Sequence, residues 1–179
     1  EMIFKQQFPK VAAKQFCLLE SELFRKITAM DLLSYNAYQK KTEHSEGPNL
    51  VERWSTRFNT VSNWVSSTIV SQSDFGQRVI VLKRFIKLAD QCLQLNNFNT
   101  SYAIFASLFS HSISRLHKTW EEMSPSVMEK FRNLQNIFDT VGGHRNYQQK
   151  LSSSKLPIIP WLGIYTKHIF SIKEHNETM

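Results

Sequence analysis

A chain of 179 residues has the length of one domain, and its 41% apolar and 12% aromatic content, with thirteen Phe and four Trp, supplies a large core and argues against intrinsic disorder. A net charge of +7 favours an acidic partner, an anionic membrane surface or nucleic acid without choosing among them. No apolar run nears the roughly 20 residues that cross a bilayer, and no signal-peptide pattern opens the chain. Cys17 and Cys92 belong to no C-x-x-C pair and fit a reduced, intracellular protein. The chain opens at Glu1 without an initiator methionine, which points to an excerpt of something longer.

Helical periodicity runs along the whole chain. From Ala13, the positions Phe16, Leu19, Leu23, Ile27 and Met30 fall at helix spacing. Gly47-Pro48-Asn49 punctuates the chain, with Asn49 placed to cap a second helix whose stripe is Leu50, Trp54, Phe58, Val61, Val65 and Ile69. Ser73-Asp74 opens a third helix, carrying Val79, Leu82, Ile86, Ala89 and Leu93 and ending at Asn96-Asn97. A fourth starts near Thr100 with Tyr102, Phe105 and Leu108. Ser124-Pro125 pairs a capping hydroxyl with proline at the first helical position, ahead of Val127, Phe131, Leu134 and Phe138. Gly142-Gly143 stops that helix, and a short piece around Tyr147 and Leu151 follows. Pro157 and Pro160 bracket Ile158-Ile159, which cannot be regular helix. The expected fold is all-α, a single domain over residues 1–179, with no repeat and no run of alternating strands.

The segment from Leu95 to Trp120 departs most from local propensity. Two asparagine clusters and Ser114-Arg115-Leu116 interrupt what would otherwise be one long apolar helix. Asn competes with the helix by bonding its own backbone, so a tertiary requirement must hold these breaks in place.

Several chemistries have no signature here. There is no G-x-x-x-x-G-K-[ST] loop or G-x-G-x-x-G turn to cradle a phosphate, no H-E-x-x-H, no metal-ligand spacing among the six histidines and no G-x-S-x-G elbow. Neither a cofactor nor a metal is expected, and bond-making catalysis has nothing to argue for it.

Six blocks, in order, carry a resemblance. They are Gln15 to Ile27 (QFCLLESELFRKI), Arg57 to Val65 (RFNTVSNWV), Phe85 to Ala89 leading into Leu95-Asn96-Asn97-Phe98-Asn99, Ser114 to Trp120 (SRLHKTW), Arg145-Asn146-Tyr147, and Ile159 to Tyr165 (IPWLGIY). Together they resemble the catalytic domain of guanine nucleotide exchange factors for Ras-type small GTPases, the Son of sevenless-like RasGEF domain. The resemblance implies an irregular helical bundle that binds a Ras, Rap or Ral type GTPase and promotes GDP release by wedging a helical hairpin into the nucleotide site. It implies no bond chemistry. The family pattern continues with further helices, including the hairpin's second arm, so the resemblance also implies a domain incomplete after Met179.

By the same resemblance, Phe170 and Glu174 stand at the wedge positions, near the magnesium and phosphate sites of the GTPase. Phe170 takes a position where the family commonly has Leu. They are four residues apart and share a helix face. Trp161 matches an aromatic lining the hydrophobic groove, Tyr38 stands where the family usually has Trp, Asn59 lies on the partner-facing side of the second helix, and His144 replaces a position often aromatic. Phe109 and Ser110-His111-Ser112 depart from the family's Asn-Ser-Ser-Pro segment. The resemblance implies a cytoplasmic protein, brought to the inner membrane surface only through flanking domains or the GTPase. Two alternatives stay open: a helical interaction module of the same fold that binds without driving exchange, and, more remotely, a basic nucleic-acid binder, whose affinity would fall steeply with salt.

Overall fold

The computed structural model describes residues 8–35 and 49–177, and it is all-α. Ten helical segments follow one another among those residues: α1 (Phe8–Phe24), α2 (Ala29–Ser34), α3 (Leu50–Val70), α4 (Phe75–Gln94), α5 (Phe98–Phe109), α6 (His111–Ser114), α7 (His117–Glu121), α8 (Pro125–Ile137), α9 (Val141–Ser153) and α10 (Gly163–Glu177). None is long and apolar enough to cross a membrane.

Helix α4 is the axis of the core. Beyond its first turn it buries Val81, Leu82, Phe85, Ile86, Leu88, Ala89, Cys92 and Leu93, which together occupy most of its circumference. A helix apolar on so many sides must be surrounded, and α1, α3, α5, α7 and α8 all pack on it. Asp74 caps its start by accepting from Gln77 N at 2.7 Å. Helix α3 carries the expected stripe: Trp54, Val61, Val65 and Ile69 are buried, and Asn49 Oδ1 accepts from Val51 N at 2.8 Å. Gly47 and Pro48 lie outside the described residues.

The first helix differs from the expected one. It begins before Ala13, at Phe8, and stops at Phe24 instead of running on to Met30. Thr28 and Asp31 form a capping box that starts α2, with Thr28 N donating to Asp31 Oδ2 at 2.8 Å and Asp31 N donating to Thr28 Oγ1 at 3.2 Å. That local signal outweighs the apolar spacing. Leu19 and Met30 are exposed, and the buried face of α1 runs instead through Pro9, Ala13 and Glu20.

The asparagine break has a clear tertiary cause. Asn96 adopts a left-handed φ of 56°, a conformation Asn tolerates better than most residues, and its Nδ2 donates to Lys155 O at 2.8 Å. Asn97 caps α5 by accepting from Thr100 N at 3.0 Å, so the helix begins at Phe98, two residues before Thr100. Between these two side chains the backbone forms a single parallel bridge: Ile159 N donates to Asn96 O and Phe98 N donates to Ile159 O, both at 2.9 Å. The proline-bracketed segment is non-helical, as expected, and it is tied to the break.

Two further details differ from expectation. Ser124 precedes Pro125 at the start of α8, but its hydroxyl makes no capping bond. Helix α8 already ends at Ile137, and Gly142, Gly143 and His144, just inside α9, are consecutive left-handed residues at φ 63°, 67° and 62° that kink its start. Trp64 and Trp120 pack half-buried against the core, and Tyr147 is fully buried within it.

Candidate functional site

The positioning of Trp161 starts from Tyr147. Its buried phenol accepts from Trp161 N at 2.9 Å and donates to Trp161 O at 3.4 Å. Burial pushes the Tyr147 phenol well above its ordinary pKa, so it remains a neutral hydroxyl able to serve both roles. The indole ring is then packed by aromatic neighbours on α5 and α9, with centroids 4.3 Å from Tyr102, 5.1 Å from His144 and 6.0 Å from Tyr147. A Cβ at Gly163 would come within 2.5 Å of the indole carbons Cε2 and Cζ2. Glycine at 163 therefore lets the indole lie over the start of α10. Trp161 is half-buried, part of the core on one side and available on the other.

Beside this ring opens a cavity of about 210 Å³ between α3, α5 and the start of α10. From α3 it is lined by Val51, Trp54, Ser55, Phe58 and Asn59, and opposite them by Trp161, Leu162, Gly163 and Thr166. Tyr35 and Asn99 complete the wall. Asn99 Oδ1 is buried and finds no hydrogen-bond partner among the described residues, an unmet acceptor in the groove wall.

The structure thus brings Asn59 and Trp161 into one groove, with His144 stacked edge-on against the Trp161 ring. His144 holds a left-handed backbone that costs a non-glycine residue on the order of 1–3 kcal/mol. Burial and the nearby Lys167 lower its pKa, Asp139 opposes them and His168 reinforces them, so the ring is neutral at pH 7. Phe170 and Glu174 lie further along α10, Phe170 half-buried and Glu174 exposed, and each is engaged with other residues of the chain. Lys173 Nζ donates to Leu33 O at the end of α2, which ties α10 to the N-terminal helices. Tyr38 lies outside the described residues. Among the described residues no group of three His, Cys, Asp or Glu could hold a metal ion.

Sequence reasoning missed the polar centre behind the groove. Glu20 of α1 is fully buried. Its Oε1 accepts from Asn99 Nδ2 at 3.3 Å and lies 3.5 Å from Arg57 Nε. An acid on the buried face of an amphipathic helix, in register with Ala13, was the available signal. Burial raises the Glu20 pKa, opposed by Thr100, Arg57, Asn99 and Asn97 in that order.

A raised carboxyl pKa means that the folded state holds its proton to higher pH than the unfolded state does. Glu20 therefore contributes stability below the unfolded value near 4.5, and that contribution is lost as pH rises through the folded pKa. Glu20→Gln, which removes the titration, should give a variant whose urea midpoint changes less between pH 4.5 and 7 than the parent's. Parallel pH profiles for the two proteins would show that Glu20 does not titrate as described.

Residues 11–179 match the RasGEF domain family. The chain is 39% identical over 176 residues to Ras guanine nucleotide exchange factor E of Dictyostelium discoideum, covering 97% of this chain and 17% of that protein. It is 36% identical over 165 residues to factor W of the same organism (92% and 14%), and 35% identical over 175 residues to factor P (97% and 12%). The chain thus spans less than a fifth of the length of these relatives, and the matches take in 92–97% of it. The chain belongs to the RasGEF domain family.

Proposed function

We propose that this chain is a guanine nucleotide exchange domain that binds a Ras-family small GTPase and accelerates GDP release. The observation that carries the proposal is the groove between α3 and α10, which joins Asn59 and Trp161 and has His144 braced against the indole, in a chain of this family. The groove sets Val51, Trp54, Phe58, Trp161 and Leu162 beside the polar Ser55, Asn59 and Thr166, the mixed lining that suits a protein-binding pocket built around an aromatic anchor. A mobile loop of the GTPase occupies it, contacting Trp161, Asn59, His144 and Tyr38.

Helix α10 acts at the nucleotide site. Phe170 and Glu174, one helical turn apart, face the magnesium and phosphate positions of the bound GTPase. An aromatic ring there displaces the metal and its water, and a carboxylate repels the phosphate that the metal had held. No bond is made or broken by this chain. Its effect is linkage: if it binds the empty GTPase more tightly than the loaded one, nucleotide affinity falls by the same factor.

The test is the ratio of the two affinities. Binding to nucleotide-free GTPase should exceed binding to the GDP-loaded form by about a hundredfold or more, equivalent to about 2.8 kcal/mol of differential contact. Equal affinities would leave a helical interaction module that binds without driving exchange. Glu174→Ala should slow nucleotide release while leaving binding to the empty GTPase within about twofold. An unchanged release rate would mean that Glu174 takes no part.

A further inference from the structure

The groove uses only one side of α3. On the other side, Arg53, Thr56, Arg57 and Thr60 recur at helical spacing and line a second cavity of about 350 Å³, closed by Leu23 of α1 and by Glu52. Asn59 on the groove side and Thr56 on this side are three residues apart, and both are exposed. A partner seated in the groove that extends over the exposed ridge of α3 comes to this cavity next.

The chemistry of the cavity is cationic. Arg53 is exposed and makes no side-chain ion pair among the described residues. Arg57 is only loosely committed: its Nε lies 3.5 Å from Glu20 Oε1 without hydrogen-bond geometry. Glu52, the acid in the wall, is already engaged by other residues of the chain. Among the described residues Arg53 thus offers a guanidinium fork suited to a carboxylate, beside the Arg57 guanidinium whose Nε faces Glu20.

We infer that Arg53 and Arg57, with Thr56 and Thr60 between them, form a basic subsite that receives an acidic side chain of the GTPase seated in the groove and so discriminates among GTPases. This rests on the groove's being the GTPase site. A rim contact of this kind acts mainly on association and on partner choice, and it is screened by salt.

The experiment uses Arg53→Glu in the full chain, leaving Arg57 in place to keep its partner Glu20 compensated. Affinity for a panel of nucleotide-free Ras-family GTPases is measured at about 50 mM and about 500 mM NaCl. At low salt Arg53→Glu should lose about tenfold in affinity for at least one GTPase of the panel, and at high salt less than about threefold, with unchanged Tm. Arg53→Gln should show a smaller loss of the same kind. Lys118→Glu, the same charge change at an exposed site on α7, should stay within about twofold of the parent.

Parental binding by Arg53→Glu at low salt with every GTPase, alongside lost binding by Trp161→Ala, would overturn the subsite while the groove stands. If neither change affects binding, the groove assignment itself fails. Parental GTPase binding with reduced retention on phosphatidylserine vesicles would assign the arginines to a membrane and overturn the proposal.

Discussion

Trp161→Ala should weaken binding to a nucleotide-free Ras-family GTPase by about 2–4 kcal/mol, roughly thirtyfold to a thousandfold. The indole is one of two in the groove wall, and unlike buried Trp54 it is half-exposed, with its place fixed from several sides. Tyr147 holds both of its backbone polar groups, Tyr102 and His144 pack the ring, and Gly163 leaves room for it. A side chain held that firmly loses little entropy on contact, which is what makes an aromatic a good anchor. Truncation also removes packing within the chain, so the binding loss has to be read beside the Tm. Gly163→Ala separates the two effects. It keeps the indole but forces it off its seat, so binding should fall while the Trp161 side chain remains. Folded Trp161→Ala protein that binds like the parent would remove Trp161 from the interface.

Phe98→Ala is expected to cost about 3–5 kcal/mol of folding stability, the range for deleting a buried aromatic. Phe98 is fully buried at the first position of α5 and stacks edge-on against Tyr147 at 5.5 Å. Its backbone N–H also closes the bridge to Ile159, two residues before Trp161. The cavity left by the ring would open where the asparagine break, the proline-bracketed segment and Tyr147 meet. With total stability for a domain on the order of 5–15 kcal/mol, the variant should unfold at much lower urea concentration. Phe109→Ala serves as the contrast, because Phe109 at the end of the same helix is 58% exposed. Its loss should stay near about 1 kcal/mol. Similar urea midpoints for the two variants would contradict the packing described around Phe98.

What was legible in the sequence follows from how local each signal is. The cap Asn49, the start of α4 at Ser73-Asp74 and the stripes of α3 and α4 depend on side chains within a few residues, and they appear where expected. The expected first helix runs too far because apolar spacing from Leu23 to Met30 masks a capping box at Thr28. The odd asparagines at 96 and 97 showed that something distant held them, but the partners, Lys155 and Ile159, lie some sixty residues away and leave no local trace. Among the candidate site residues, Asn59, His144 and Trp161 converge, and that convergence came from family resemblance, not from spacing. Phe170 and Glu174 share α10, as their interval of four implied. The roles of Glu20 and Gly163 are defined by what packs on them, so local sequence says little of either. One is an acid enclosed by α3 and α5, and the other is the absence of a Cβ beneath an indole.

The most direct measurement is release of fluorescent GDP from Ras-family GTPases, with this chain present at a small fraction of the GTPase concentration and unlabelled nucleotide in excess. A GTPase served by the groove should lose its entire label at a rate that rises in proportion to the chain added, each molecule turning over many times, and Trp161→Ala should abolish the acceleration. Release that stays at the intrinsic rate for every GTPase, at concentrations where binding is demonstrated, would contradict an exchange function for this chain.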